Sequence, residues 1–464
     1  MVKEKISIKN WFIIFLFCFM GGIAWNTENM YFNTFITNEI YSDVSQKAIA
    51  GSMEALDAIA VMVALSAVAA VLTTFVMGAL SDKLKNRRLF ISVGYILWGM
   101  VTAMFGFITK DNVANLLNLS DEAKILGTTV WFVILMDIVM TFMGSTSNDA
   151  AFQAWVTDIT VPRQRPVVET VLSVVGTVSS FAVTGVGTLA QTGTISYKLF
   201  FGGLGLVVTL CGFAGLIFIK DPPRTVQRAD SSSSYWADLI YGFRPSVIAK
   251  NAKLYLALAA FSFAIIAFQV FYPYILTYIQ YVIIPDNGGV ENILKPGVIV
   301  TAVVVAILVL TCIVTLLRLS IKRKAACLVT GVIVLTLGFF LLSTSTNIYV
   351  ILVSILPVVL GNALVNILFG AAVKDFIPEG KAGLFQGVRM IFTVLLPMVI
   401  GPFIGKTACK YAAQTIINEA NAEVIVPAKT MFLGAALVCI LALLPLYFLV
   451  KIGVDAKEEE KIIN

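Results

Sequence analysis

Apolar residues gather in twelve long runs, at 11–36, 51–79, 89–109, 128–156, 166–190, 199–219, 254–282, 297–317, 325–343, 348–372, 384–405 and 430–450, and short polar segments separate them. The hydrocarbon core of a bilayer takes about 20 helical residues to cross. Only helices and closed barrels satisfy their backbone hydrogen bonds there. Runs of this length predict an all-α integral membrane protein with twelve spans. Lys3, Lys5 and Lys9 precede the first run in the manner of a signal peptide, but the run is too long and lacks a convincing cleavage site, so it is read as a span.

The segments between the runs divide by charge. With both termini on the cytoplasmic side of the cell membrane, eight cations fall on the outside: Lys47, Lys110, Lys124, Lys198, Lys295, Lys406, Lys410 and Lys429. The other 25 of the 33 Lys and Arg fall inside, a bias that supports both the threading and this orientation. The longest inside segment, 220–253, has the composition of a linker: it opens Lys220-Asp-Pro-Pro-Arg and runs through Ser231 to Ser234. Tyr235 to Phe243 has the pattern of a short surface helix. The chain therefore divides into an N-terminal six-helix bundle (1–219), a cytoplasmic linker (220–253), and a C-terminal six-helix bundle with a cytoplasmic tail (254–464). The two halves share a motif. The stretch from Gly144 to Asp158 aligns with that from Gly361 to Asp375, with Gly, Phe, Ala, Val and Asp in common, and each copy closes a span, the fourth and the tenth. That is the mark of two parallel repeats.

Composition narrows the chemistry. Of 464 residues 59% are apolar and 13% charged, and the mean hydropathy is +0.91. The net charge of +6 is carried by one-sided loops, so nucleic acid is not an expected partner; the lipid bilayer and a small solute are. There is no His, which removes a histidine proton relay and disfavours zinc or haem. The six Cys are scattered with no CxxC spacing and read as small buried apolar residues. No nucleophile–base arrangement, metal cluster or phosphate loop points to an enzyme, and no cofactor is expected.

Ionisable groups inside spans are expensive and normally face a cavity or a partner. Glu28 lies in the first run, where Asn26, Asn29 and Asn33 recur at helical spacing. Two readings stay open: Glu28 binds a polyol or coupling cation, or the span ends early and Glu28 is wet. Asp137, Thr141, Ser145 and Asn148 form one stripe along the fourth span, with Asp149 one position beyond it. The stripe favours a cavity-facing role over helix–helix contact. In the second half the cavity-facing candidates are neutral: Gln269 and Tyr272, with Tyr274 and Tyr278, around Pro273, and Asn362 and Asn366 one turn apart. Amides and tyrosines suit a hydroxyl-rich ligand. Tyr278 and Tyr281 also fit an outer aromatic belt.

Between the second and third runs stands Gly78-Ala-Leu-Ser-Asp82-Lys83-Leu-Lys-Asn-Arg87-Arg88. It resembles the loop-2/3 signature of the major facilitator superfamily, roughly Gly-x-Leu-x-Asp-Arg/Lys-x-Gly-Arg/Lys-Arg/Lys. Gly78, Leu80, Asp82, Lys83, Arg87 and Arg88 match in order, and the glycine before the basic pair is missing. The resemblance implies that superfamily's fold, twelve transmembrane helices in two six-helix bundles, and alternating access about a central cavity. It also implies a cytoplasmic gate in which Asp82 meets the opposite half near Lys381 and Arg389, or pairs with Arg165. Asp158, Asp375 and Glu169 belong to the same charged surface; Glu169 is equally explained as an acid stabilised in a helix's first turn.

Asp149-Ala-Ala-Phe152-Gln-Ala-Trp-Val156-Thr-Asp-Ile-Thr160 resembles the fourth-span signature of the glycoside-pentoside-hexuronide cation symporters, Asp/Asn-x-Pro-aromatic followed by Val-Pro-x-x-Thr, without its prolines. The matching acid of that family takes part in sugar and cation binding, which the resemblance extends to Asp149. That family's cation-binding acid pair before the hinge glycine is replaced here by Ala70 and Thr74, so the chain looks closer to the related sucrose-type carriers, thought to use protons. The expectation is a monomeric secondary carrier of a sugar or glycoside with the proton as coupling ion, and with Glu28, Asp137 and Asp149 handling proton and ligand. The alternatives are a drug or metabolite exporter of the same fold, and a lipid-handling or sensory protein without a transport cycle.

Overall fold

The computed structural model describes residues 6–84, 86–160, 164–221, 242–306, 308, 324–377 and 382–453. Among them eleven helices are long and apolar enough to cross a membrane: α1 (Ile8–Ile40), α2 (Ala55–Gly78), α3 (Arg87–Phe105), α4 (Glu122–Ile159), α5 (Val174–Gln191), α6 (Tyr197–Phe218), α7 (Ala252–Asp286), α8 (Ala325–Thr344), α9 (Ile348–Phe376), α10 (Gly387–Ala412) and α11 (Thr430–Ile452). Each answers one apolar run. The remaining run, 297–317, is described as helix over Pro296–Ala306, and most of the rest lies outside the described residues. The middle of the proposed linker, 222–241, lies outside them too.

Polar residues at the run boundaries start the helices. Ser7 accepts from the Asn10 amide (3.2 Å), Asn86 from Leu89 (3.1 Å), Asp121 from Lys124 (2.9 Å) and Ser196 from Leu199 (3.2 Å). Each side chain satisfies an amide that the first helical turn leaves without a partner.

The chain forms two compact units, 1–232 with 417–424, and 233–416 with 425–464. In lipid, helix association rests on close packing, since the solvent is as apolar as the side chains. In the first unit α3 and α6 approach so closely that a methyl group on Gly99 would lie 2.4 Å from the Gly205 carbonyl oxygen. Toward one end the unit is filled by aromatic rings: Phe32 stacks on Phe105 at 3.6 Å, and Phe201 packs edge-on against Phe32 and Phe35. Beside them Lys110 donates to the Ile40 carbonyl (3.0 Å) and pairs with Asp43. Burial pushes the Lys110 ammonium below its ordinary value, and the surrounding carboxylates, Asp111 first, act the other way.

The first unit also holds the tip of an element the apolar pattern does not announce. Strands β1 (Thr415–Ile417) and β2 (Glu423–Ile425) form a two-stranded hairpin. Its turn is closed by Asn418, whose side-chain oxygen accepts from the Ala422 amide (2.8 Å), and by Asn421 at φ 58°. Residues 417–424 dock on 41–46. Glu419 N–H donates to the Ser42 carbonyl (2.8 Å), the Asn418 amide donates to the Tyr41 and Val44 carbonyls (3.1 and 2.8 Å), and Glu423 N–H donates to Gln46 (2.9 Å).

In the second unit α7 is broken. Pro273 sits in a tight 3-10 turn, Tyr272–Tyr274, and a π-helical stretch follows at Ile279–Ile283. The Tyr274 hydroxyl donates to the Pro402 carbonyl (2.8 Å), fastening α7 to α10. Phe271 packs between Phe339 and Phe432, tying α7 to α8 and α11.

Candidate functional site

The three intramembrane acids come together inside the first unit. Glu28 is 6% exposed and Asp137 2% exposed, so Glu28 is not at a wet helix end. Asp137 and Asp149 are the charged groups that bear on Glu28. Thr141, one turn after Asp137 on α4, donates to Glu28 Oε1 at 2.8 Å. Ser66, on α2, donates to Asp137 Oδ2. The other oxygens, Glu28 Oε2 and Asp137 Oδ1, are buried and have no protein partner.

Asp149 is held differently. Ser145 donates to its Oδ2 (3.2 Å), Asn148 Nδ2 lies 3.4 Å from Oδ1, and the Trp25 side chain borders it. The Asn148 oxygen accepts from the Tyr95 hydroxyl (2.9 Å), which also lies 2.7 Å from the Phe17 carbonyl. Trp25 and Trp98 meet edge to face at 5.1 Å, with Gly144 beneath them; a methyl group there would come within 2.8 Å of Trp98 and 2.9 Å of Trp25.

Backbone geometry explains this grouping. Glu28 lies in a π-helical stretch, Thr27–Phe32, and Asp149 in another, Ser145–Phe152. A π turn closes i→i+5 and is wider than an α turn. On it the i+4 position stays on the face that the i+3 position leaves. Asp149 therefore follows Ser145 in the polar stripe, and Asn148 turns toward Tyr95 on α3. Asn148, the last member of the stripe read at ordinary helical spacing, stays within reach of Asp149 while its oxygen faces Tyr95. The amide stripe of α1 bonds largely within its own helix: Asn26, Asn29 and Asn33 donate to the carbonyls of Gly22, Trp25 and Asn29, four residues back, while the Asn26 oxygen accepts from Ser180 on α5 (2.8 Å). Sequence reasoning missed Ser66, the partner of Asp137: it is one of three hydroxyls in α2, with Thr73 and Thr74, and nothing in its spacing singles it out.

In the second unit Gln269 is half-buried and packs so closely on Gly401 that a methyl group there would meet its Cβ at 2.6 Å. Tyr272 is half-buried and leans over Phe268, with ring centroids 5.6 Å apart. Tyr278 is buried against Phe432, away from any surface belt. Asn366 donates to both the side-chain and main-chain oxygens of Asn362 at 2.8 Å, so these two amides act as a pair.

The signature around Gly78 is built on α2 as it runs on helically to Leu84, and on the start of α3. Arg87 is 3% exposed; its guanidinium donates to Ser81 and pairs with Asp158 at 3.4 Å. Arg88 donates through its backbone to Asp221 (3.1 Å) and through its side chain to the Leu216 carbonyl. Lys83, Asp375 and Arg389 are exposed. The side chains of Asp82, Arg165 and Glu169, and all of Lys381, lie outside the described residues. Among the described residues no group of three or more His, Cys, Asp or Glu could hold a metal ion.

A family model for the Major Facilitator Superfamily matches residues 11–402. The chain belongs to the major facilitator superfamily. It is accordingly a multi-pass membrane protein and a secondary transporter, moving small molecules across a bilayer, and not an enzyme. Solved structures share the superfamily fold at low identity. A point mutant of the nucleoside transporter NupG superposes with a TM-score of 0.65 at 11% identity over 96% of this chain and 100% of its own. A bacterial homolog of the human lysosomal transporter Spinster gives 0.61 at 11% over 96% and 97%. The xylose transporter XylE from E. coli gives 0.61 at 12% over 94% and 97%. At these identities the likeness is one of fold alone. No curated protein sequence matches the chain.

Proposed function

We propose that this chain is a proton-coupled symporter of a small, neutral, hydroxyl-rich solute, a sugar, glycoside or nucleoside, working by alternating access. The observation that carries the reading is the cluster of Glu28, Asp137 and Asp149 inside one helical unit, each with a hydroxyl donor. A charged group at the bilayer centre costs about 2.5–3.5 kcal/mol on insertion scales, so three acids in one place need a function. Protonation during the cycle supplies one. The half-buried Gln269, Tyr272 and Asn362 of the second unit, with the exposed Asn366, are the solute-binding groups of this reading. Two solved proteins of this fold, a nucleoside transporter and a proton:xylose symporter, are named for ligands of the same chemistry.

The rest of the assignment follows the sequence. Twelve spans form two six-helix bundles joined by 220–253, both termini are cytoplasmic, and the chain acts as a monomer. The Arg87–Asp158 pair, beside Lys83 and Arg88, is the part of the gate reading that the first unit carries. The glycoside-pentoside-hexuronide and sucrose-type carriers are the subgroup we favour on the Asp149 motif. A second reading, an exporter of organic cations, draws on the same three carboxyls. Uptake into liposomes of labelled xylose, disaccharides and uridine, set against export of a lipophilic cation, separates the two. The symporter reading expects accumulation of at least one hydroxyl-rich solute, abolished in Asp149→Asn. Transport of the cation alone would contradict it.

A further inference from the structure

The two faces of α10 do different work. Gly405 presses against α7, where a methyl group on it would lie 2.8 Å from the Tyr274 ring. The other face, with Phe403, Thr407 and Tyr411, borders an open groove of about 810 Å³ whose second wall is Thr430, Gly434 and Leu437 of α11. Tyr411 is 91% exposed and Leu437 62%, so the groove opens outward from the second unit. Its two threonines do not make it polar. Thr407 donates to the Phe403 carbonyl and Thr430 to the Ala408 carbonyl, both at 2.7 Å, so neither hydroxyl has its hydrogen to offer a polar solute. Its floor is open by choice of residue: a methyl group on Gly434 would rest 3.5 Å from Ile404, an ordinary contact, so packing does not demand glycine there.

The groove has the length of a lipid chain and a cationic end. From Val399 to Tyr411 the helix rises about 18 Å, and the hydrocarbon of one leaflet is about 15 Å deep, half of the bilayer core. At the end where α10 stops and α11 starts, three lysines gather. Lys406 Nζ lies over the Phe403 ring, 4.5 Å from its centroid. Lys410 is next to Tyr411, and the exposed Lys429 precedes Thr430 and donates to the Thr344 carbonyl (3.3 Å). Lysine stems lie along apolar surface and carry their ammonium groups to the headgroup level. Basic pockets between membrane helices take anionic headgroups.

We propose that the groove between α10 and α11 is a binding site for one anionic phospholipid. An acyl chain lies along Phe403, Gly434 and Leu437, and the phosphate sits among Lys406, Lys410 and Lys429. In the orientation given above this is the outer leaflet. The ammonium groups supply charge-assisted hydrogen bonds to the phosphate, and the Tyr411 hydroxyl stands at the same level. A lipid with the same chains and no net charge fills the groove but gains nothing from the lysines. The site is separate from the carboxyls of the first unit and asks nothing of the solute, so it stands or falls independently of the transport reading.

The test is native mass spectrometry of the full-length protein in detergent, titrated with palmitoyl-oleoyl phosphatidylglycerol or with phosphatidylcholine of the same chains. Light scattering gives the protein mass alongside. The wild type retains one phosphatidylglycerol about tenfold more tightly than phosphatidylcholine, the preference expected of clustered lysines at a membrane surface. The triple variant Lys406→Gln, Lys410→Gln, Lys429→Gln brings the two lipids level and still holds a chain. Gly434→Leu fills the groove and releases both lipids, while Gly434→Ala, whose methyl group has room, keeps them. Glycerophosphoglycerol, the headgroup without chains, does not displace the lipid. The proposal is overturned if the wild type holds the two lipids equally, if the preference survives in the lysine variant, or if retention is unchanged in Gly434→Leu. Displacement by glycerophosphoglycerol would also overturn it, by assigning the lysines to a soluble phosphate. A dimer that Gly434→Leu converts to monomer would overturn it by making the groove a contact between two copies. The lysine variant alters only the end of the groove and decides the matter if Gly434→Leu fails to fold.

Discussion

Asp137 illustrates how single side chains set the chemistry of this interior. Ser66 donates to one of its oxygens, and the other is buried without a protein partner. Gly144 has the opposite task of offering no side chain where Trp25 and Trp98 meet. Gly144→Ala inserts a methyl group under both rings, and overpacking of this kind costs about 1–3 kcal/mol. We expect a lower unfolding temperature in detergent and weaker uptake, because Trp25 also borders Asp149; an unchanged melting curve would contradict the packing account. Arg87 is a case where residue type matters more than charge. Its planar fork reaches Ser81 and Asp158 together, which a lysine ammonium does not reproduce. Arg87→Lys should slow uptake several-fold while leaving solute affinity near that of the wild type, as initial rates at varied solute concentration would show.

At the scale of elements the decisive feature is the π-helical stretch Ser145–Phe152. Periodicity in the sequence located the stripe Asp137, Thr141 and Ser145, because those positions obey ordinary helical spacing. It did not show that Asp149 also bonds Ser145, because the backbone widens just there, and nothing in Ser-Thr-Ser-Asn-Asp reports that to a fixed-period reading. Deleting Ala150 removes the extra residue of the wide turn. The helix should survive, as circular dichroism would report, and uptake should be lost as Asp149 leaves Ser145; full activity in the deletion would deny the π stretch its role. The hairpin β1–β2 was invisible for a different reason. Three-residue strands carry too little alternation, and their fixing bonds come from residues far away in the chain, at 41–46. Asn418→Ala removes two donors to backbone carbonyls and the closure of the turn, a loss of about 1–3 kcal/mol for groups left without partners. Hydrogen exchange across 41–46 should quicken in that variant while α3 and α6 stay protected.

At the scale of the molecule the apolar runs carried most of the information. A span is specified by length and composition, so eleven long helices fell where the runs lay. The superfamily was legible because the Gly78 signature concentrates specific residue types in one loop. The grouping of Glu28, Asp137 and Asp149 was legible only in part: each acid was conspicuous in an apolar run, but their convergence depends on helix packing that periodicity does not encode. The coupling claim belongs to this scale, since it concerns a cycle and not a contact.

The most direct test is made in liposomes that hold the purified protein and a trapped pH-sensitive dye, with xylose, disaccharides or uridine added outside in the absence of sodium. The account predicts internal acidification with at least one solute, lost in Asp137→Asn and in Asp149→Asn. A solute that accumulates with no acidification, and only when sodium is present, would contradict proton coupling.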